Sequence, residues 1–271
     1  GDRVITDIDS GTEQLLATVD EGIATVTFNN PAKRNALSLA MRRALPGVLQ
    51  SLQDDPDVRV VVITGAGTKA FVSGADISEF GTGRTDPGDR AEYDRSGADI
   101  ARSWLALEKP IIAMIRGFCI GGGLVTALQA DIRIASDDSQ FGVPAARLGL
   151  GYGFGGVEAL SAVVGTSWAA EILFSARRLP ADEALRIGLV NRVVETDELE
   201  PAVRELAGAI TRNAPLTIAA VKAALREVRR PPDRRDLARV AELVEACFRS
   251  DDYREGQRAF AEKRPPEFRG T

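Results

Sequence analysis

Two glycine-loosened turns, Ser73-Gly74-Ala75-Asp76 and Gly121-Gly122-Gly123-Leu124-Val125, constrain this chain more than any other feature. Each follows an apolar, β-rich run, Val58 to Thr64 in the first case and Ile111 to Ile115 in the second, and each leads into helix-compatible sequence. A chain that turns sharply from a buried strand into a helix leaves backbone N–H groups unpaired at the helix start, where they favour negative charge. Two such turns can aim their amides at one carbonyl oxygen. That is the raw material of an oxyanion hole, in which each donor is worth roughly 10²- to 10³-fold in rate. The alternative is that both are simply tight strand-to-helix turns.

The rest of the chain repeats the same strand, turn and helix rhythm, which predicts an α/β fold. Leu15 to Val19 and Ile23 to Phe28 flank Asp20-Glu21-Gly22 and predict a β-hairpin. Ser38 is placed to cap a helix from Leu39 to Leu52, in which Pro46 predicts a kink or a break. Val58 to Thr64 reads as a strand buried on both faces of a parallel sheet. The polar, glycine-rich segment Gly81 to Asp89 predicts a mobile loop, either covering a site or lying idle at the surface. A helix over Ala91 to Leu107 and a strand over Asp131 to Ala135 follow. Beyond Ser161 the pattern becomes helix after helix, with Pro180 opening one, a short strand at Leu189 to Val194, and Pro215 and Pro231-Pro232 as punctuation.

Composition removes whole classes of chemistry. The 271 residues contain no histidine, which excludes Ser-His-Asp hydrolysis, Cys-His catalysis and His-ligated zinc. Proton transfer must use a carboxylate, Tyr, Lys, Cys or water. A net charge of -5 argues against nucleic-acid binding. Cys119 and Cys247 are expected as free thiols in a reducing compartment. No apolar run reaches the length of a membrane span and no secretory signal is visible, so a cytoplasmic protein without a membrane partner is expected.

Five segments together resemble the crotonase family, the enoyl-CoA hydratase/isomerase superfamily: Asn30 to Leu37, Lys69 to Ile77, Gly117 to Gly123, Phe141 to Pro144 and Glu262 to Arg264. The resemblance implies a spiral of ββα units over residues 1–200. A C-terminal helical region over 201–271 would pack in homotrimers, commonly paired into hexamers. It also implies an acyl-CoA thioester as substrate, with coenzyme A part of that substrate and no separate cofactor or metal. The thioester oxygen would meet the amides of Ala75 and Gly122. Lys33, Arg34, Ser73, Gly74, Asp76, Ile77 and Gly121 belong to the substrate-binding segments, with Asp76 also a helix cap. Lys263 resembles the lysine that meets the CoA phosphate, often across a subunit boundary; a solvated charge is the alternative.

Classical hydratases of this family carry two glutamates, at positions that correspond here to Val125 and Ala145 in the substrate pocket. Neither side chain can move a proton. Tyr152 stands where hydratases commonly have proline and where methylmalonyl-CoA decarboxylase, a relative, has a tyrosine. Its phenol could donate to an enolate, or the ring could simply pack beneath the acyl group. Glu158 is the nearest remaining acid and is expected in the first turn of a helix. Gly151, Gly153 and Gly156 form a literal G-x-G-x-x-G, but no apolar strand precedes them, which argues against a dinucleotide site. The expected function is an enzyme acting on an acyl-CoA through an oxyanion-stabilised enolate. Malonyl-type decarboxylation and a catalytically silent CoA-ester-binding subunit are the alternatives.

Overall fold

The computed structural model describes residues 5–76 and 87–271, with 87–94 as backbone only. Strands β1 (Thr6–Ile8), β2 (Leu15–Asp20) and β3 (Ile23–Phe28) pair antiparallel. The expected hairpin joins β2 to β3 through Glu21 and Gly22, both at positive φ as a two-residue turn requires. Ser38 then caps α1 (Leu39–Asp54), its hydroxyl accepting from the Met41 N–H at 3.1 Å. Of the two outcomes Pro46 predicted, the break does not occur: α1 runs through it. Proline removes one hydrogen bond there, while Met41, Leu45, Val48, Leu49 and Leu52 hold both halves of the helix on the core.

Three ββα units follow. They are β4 (Val60–Gly65), β5 (Ala70–Val72) and α2 (Pro87–Ala106); β6 (Ile111–Ile115), β7 (Phe118–Ile120) and α3 (Gly122–Ala127); and β8 (Ile132–Ser136), β9 (Gln140–Gly142) and α4 (Phe154–Ser175). With β10 (Leu179–Pro180) and β11 (Arg192–Val194), they build two sheets, ordered β1-β2-β3-β4-β6-β8-β11 and β10-β9-β7-β5. Each unit gives its first strand to the larger sheet and its second to the smaller, so the chain spirals between them. From β3 to β11 the larger sheet is parallel, and Val60 to Thr64 are buried throughout, as a doubly covered strand demands.

The chain continues through α5 (Ala181–Arg186), α6 (Leu199–Thr211), α7 (Pro215–Val228), α8 (Leu237–Arg249) and α9 (Asp251–Glu262). Leu199, Val203 and Ala207 of α6 pack on Val60, Val62, Ile112 and Ile134, covering one face of the larger sheet. The main core lies on its other face, between the sheets and beneath α1 and α4. Lys222 ties α7 to this body: its buried ammonium reaches the Lys109 carbonyl at 2.6 Å and Asp131 Oδ2 at 2.9 Å.

Other expectations need revision. Of the predicted loop Gly81 to Asp89, residues 81–86 lie outside the described residues, and Pro87 to Asp89 begin α2, where proline suits a first helical turn. The 22-residue α4 is long and apolar enough to cross a membrane by length and composition, contrary to the sequence reading. However, it buries Leu160, Val164, Ala169 and Ile172, and Gly165 at φ 78° interrupts its helical geometry. Cys119 and Cys247 are both free, as expected.

Candidate active site

The smaller sheet assembles the site. β5, β7 and β9 are parallel neighbours, so their carboxyl ends lie side by side and the segments leaving them, Ser73 to Asp76, Gly121 to Val125 and Val143 to Ala145, converge. Ligand crevices form at such strand ends.

The orientation of the Ala75 amide follows from its pairing. Leu37 N–H donates to the Gly74 carbonyl at 2.8 Å, and the Leu37 carbonyl accepts from Asp76 N–H at 3.0 Å, which makes Leu37 and Ala75 an isolated parallel bridge. In that pattern the central residue's own N–H points away from the partner strand. At the second turn, each glycine has a separate reason. Gly121 adopts φ 56°, ψ -117°, a conformation closed to other residues, while its N–H donates to the Gly142 carbonyl at 2.8 Å. A β-carbon on Gly123 would lie 1.9 Å from the Val72 carbonyl oxygen, so only glycine lets α3 sit on β5. Gly122 opens α3, ahead of the first helical bond, and a β-carbon there would stand 3.7 Å from the Ala75 nitrogen. Neither the Ala75 nor the Gly122 N–H donates to another described residue.

Ala75 and Gly122 both line a cavity of about 1120 Å³. Val125, Ala145 and Tyr152 share its wall. Among the described residues the titratable groups of that wall are Arg42 and Tyr152, and no carboxylate faces the cavity. Tyr152 is half-buried against the core, and its hydroxyl makes no hydrogen bond to another described residue. Burial pushes its pKa up to about 12, so near neutral pH the phenol is a proton donor and not a base. Gly156 makes room for it: a β-carbon there would fall 2.8 to 2.9 Å from three atoms of the Tyr152 phenol. Arg42 is 7% exposed, with Ser96 Oγ accepting from its Nη2 at 2.8 Å.

The sequence profile of the enoyl-CoA hydratase/isomerase family matches residues 18–271. This chain belongs to the enoyl-CoA hydratase/isomerase family. It is 40% identical over 242 residues to the short-chain-enoyl-CoA hydratase of Clostridium acetobutylicum, covering 89% of this chain and 92% of the relative. The crotonyl-CoA hydratase of Syntrophomonas wolfei is 37% identical over 256 residues, covering 94% of this chain and 98% of that protein. A solved enoyl-CoA hydratase/carnithine racemase from Magnetospirillum magneticum superposes with a TM-score of 0.89 at 35% identity, covering 96% and 97% of the two chains. The crotonase fold expected from the motifs is thereby shown.

The structure gathers most of the residues singled out in this family member. Ser73, Gly74, Ala75, Gly121, Gly122, Val125, Ala145 and Tyr152 all line the one cavity. Lys33 and Asp76 form an ion pair at 2.7 Å, with Asp76 buried. The helix Asp76 was expected to cap, like Ile77, lies outside the described residues. Arg34 is exposed, its guanidinium 5.1 Å from the Phe118 ring centre, and Arg178 stands at the same distance from that ring. Lys263 caps the C-terminus of α9, exposed and outside the cavity wall. Glu158 stands in the second turn of α4, not the first, where it is exposed and also outside the wall, so the helix-start argument does not apply. A 3₁₀-helix, Pro144–Leu148, precedes the G-x-G-x-x-G and no strand does, which removes the dinucleotide alternative. Sequence reasoning missed Arg42, and read Gly156 only as part of the glycine fingerprint, not as the seat of Tyr152. Arg42 had a visible signal, since it lies three residues before Leu45 at the edge of the apolar stripe of α1.

Proposed function

We propose that this protein binds an acyl-CoA thioester with its carbonyl oxygen between the N–H groups of Ala75 and Gly122, and acts through the enolate those donors stabilise. The observation that carries this reading is the pair of unspent amides side by side in one cavity wall. Polarising the oxygen lowers the barrier to negative charge at the α-carbon, and donors fixed in advance need no reorganisation as that charge develops. The Tyr152 phenol would then deliver a proton to the enolate carbon, and solvent would restore it. The coenzyme enters as part of the substrate.

Hydration is the activity in the relatives' names, and it needs one group to take a proton from water and another to deliver one. The absence of a carboxylate from the described wall favours a second reading, decarboxylation of a malonyl-type thioester. There the C–C bond to the carboxylate breaks, its electron pair becomes the enolate, carbon dioxide leaves, and a single proton completes the reaction. A protonated tyrosine meets that single requirement. Purified protein incubated with crotonyl-CoA and with methylmalonyl-CoA, following loss of enoyl absorbance and release of carbon dioxide, separates the readings. Turnover of either substrate supports an enolate enzyme and assigns the reaction. Micromolar thioester binding without turnover of either would point to a silent CoA-ester-binding subunit, and absence of binding would refute the thioester site.

A further inference from the structure

The cavity is longer than the two amides require. α1 and α2 run side by side in the same direction: Arg42 bonds Ser96 near one end, and at the other Gln53 Oε1 accepts from the Glu108 N–H at 2.9 Å while Lys109 Nζ reaches the Leu52 carbonyl at 2.5 Å. α3 begins beside the start of this pair, because a β-carbon on Gly122 would lie 3.6 Å from Leu37 Cδ1, just ahead of α1. The wall takes Met41 and Leu45 from α1, Gly97 and Trp104 from α2, Val125 from α3 and Gln129 from the turn after it. The wall therefore extends away from Gly122 as a channel along α1 and α2. At about 1.5 Å per residue, the step from Gly97 to Trp104 along α2 gives it a length of about 10 Å.

An extended acyl chain advances about 1.3 Å per carbon, from a C–C bond of about 1.5 Å at tetrahedral angles. A four-carbon acyl group thus fills about 4 Å of the channel, and roughly eight carbons fill it. A short chain would stop before the apolar far end, which Leu45 and Trp104 line. Two polar wall groups along the channel are engaged within the protein: the Arg42 guanidinium bonds Ser96, and Gln129 Nε2 donates to the Val125 carbonyl at 3.2 Å.

Resting on the reading that the cavity binds acyl-CoA, we propose that its preferred acyl group is a medium-length apolar chain of about eight carbons, in contrast to the relatives named for short-chain and crotonyl substrates. Calorimetric titration of the full chain with butanoyl-, hexanoyl-, octanoyl- and decanoyl-CoA tests it. Each methylene buried should tighten binding about fourfold, for a gain on the order of 10²-fold from butanoyl to octanoyl and a plateau at decanoyl. Ala101→Phe, which places a ring in the α2 wall, should weaken octanoyl-CoA at least tenfold more than butanoyl-CoA. A flat series, a series that weakens with length, or tighter binding of the ω-carboxylated octanedioyl-CoA would overturn the proposal while leaving thioester binding intact. Failure of every thioester to bind would instead refute the reading on which it rests. The wild-type series decides the matter even if the Ala101 variant does not fold.

Discussion

Gly156→Ala asks whether this glycine is kept for Tyr152. The new β-carbon would lie 2.8 Å from Cε1 and 2.9 Å from Cζ and Oη of the ring, whereas unstrained contact begins near about 3.5 Å. The ring, packed on the core, would have to withdraw by roughly 0.6 Å or more, and overpacking of this kind costs about 1 to 3 kcal/mol. Alanine is otherwise the better helix former by about 0.8 to 1 kcal/mol, so the substitution should stabilise α4 once the ring is gone. The reasoning therefore predicts a coupling of about 1 to 3 kcal/mol between Gly156→Ala and Tyr152→Ala. Urea unfolding of the four proteins at one fixed concentration measures it. In the single variant, kcat on the thioester should fall about 10- to 100-fold with a smaller change in KM, because the donor has moved relative to the reacting carbon. Equal stabilisation by Gly156→Ala with and without the ring, or a coupling below about 0.5 kcal/mol, would refute the claim that this glycine seats the tyrosine.

Tyr152→Phe should lower kcat by about 10²- to 10⁴-fold while thioester affinity, read by titration, changes little. The proton donor works in its protonated form, and burial raises its pKa to about 12; the basic limb of the wild-type rate profile should accordingly stay flat through pH 10, where an ordinary tyrosine would be half ionised. Asp131→Asn removes the carboxylate that Lys222 Nζ meets at 2.9 Å and leaves a buried ammonium with the Lys109 carbonyl but no counter-ion, costing about 3 kcal/mol in urea unfolding, the low end for a broken buried pair because Asp131 is itself a third exposed. Introducing Val125→Glu together with Ala145→Glu places two carboxylates in the cavity wall, and hydration of crotonyl-CoA should appear or rise by at least 10²-fold in the absorbance assay. An unmodified protein that already hydrates crotonyl-CoA at about 1 to 10³ per second would contradict the argument from missing acids.

Much of the fold was legible because it is written in period and punctuation. The hairpin at Asp20 to Gly22, the Ser38 cap and the buried strand Val60 to Thr64 each depend on local rules that a single sequence displays. α4 was misread, and the outcome at Pro46 left open, for the opposite reason. Whether a proline breaks a helix depends on what the helix packs against, and whether an apolar helix belongs to a core depends on partners distant in sequence. Likewise Glu158 was placed by proximity in sequence, but the start of α4 at Phe154 puts it one turn too far along and on the exposed side.

The legible part of the site is the part made of backbone. A glycine at φ 56° and a glycine whose β-carbon would strike a neighbouring carbonyl leave a mark in sequence because no other residue substitutes for them, so the turns that present Ala75 and Gly122 could be read directly. The channel left no such mark. Its walls are ordinary core residues, Met41, Leu45, Ile100 and Trp104, whose spacing on α1 and α2 is equally suited to a filled core. What separates a channel from a core is whether the volume between helices is occupied, and that depends on how far α1, α2 and α3 stand apart, a quantity no local pattern encodes. The division has a chemical consequence. On the proposed reading, the elements that polarise a thioester are fixed by backbone geometry, whereas the acyl chain and the proton donor are chosen by side chains such as Trp104 and Tyr152. One scaffold can therefore keep its enolate chemistry while exchanging both its substrate and the fate of the enolate.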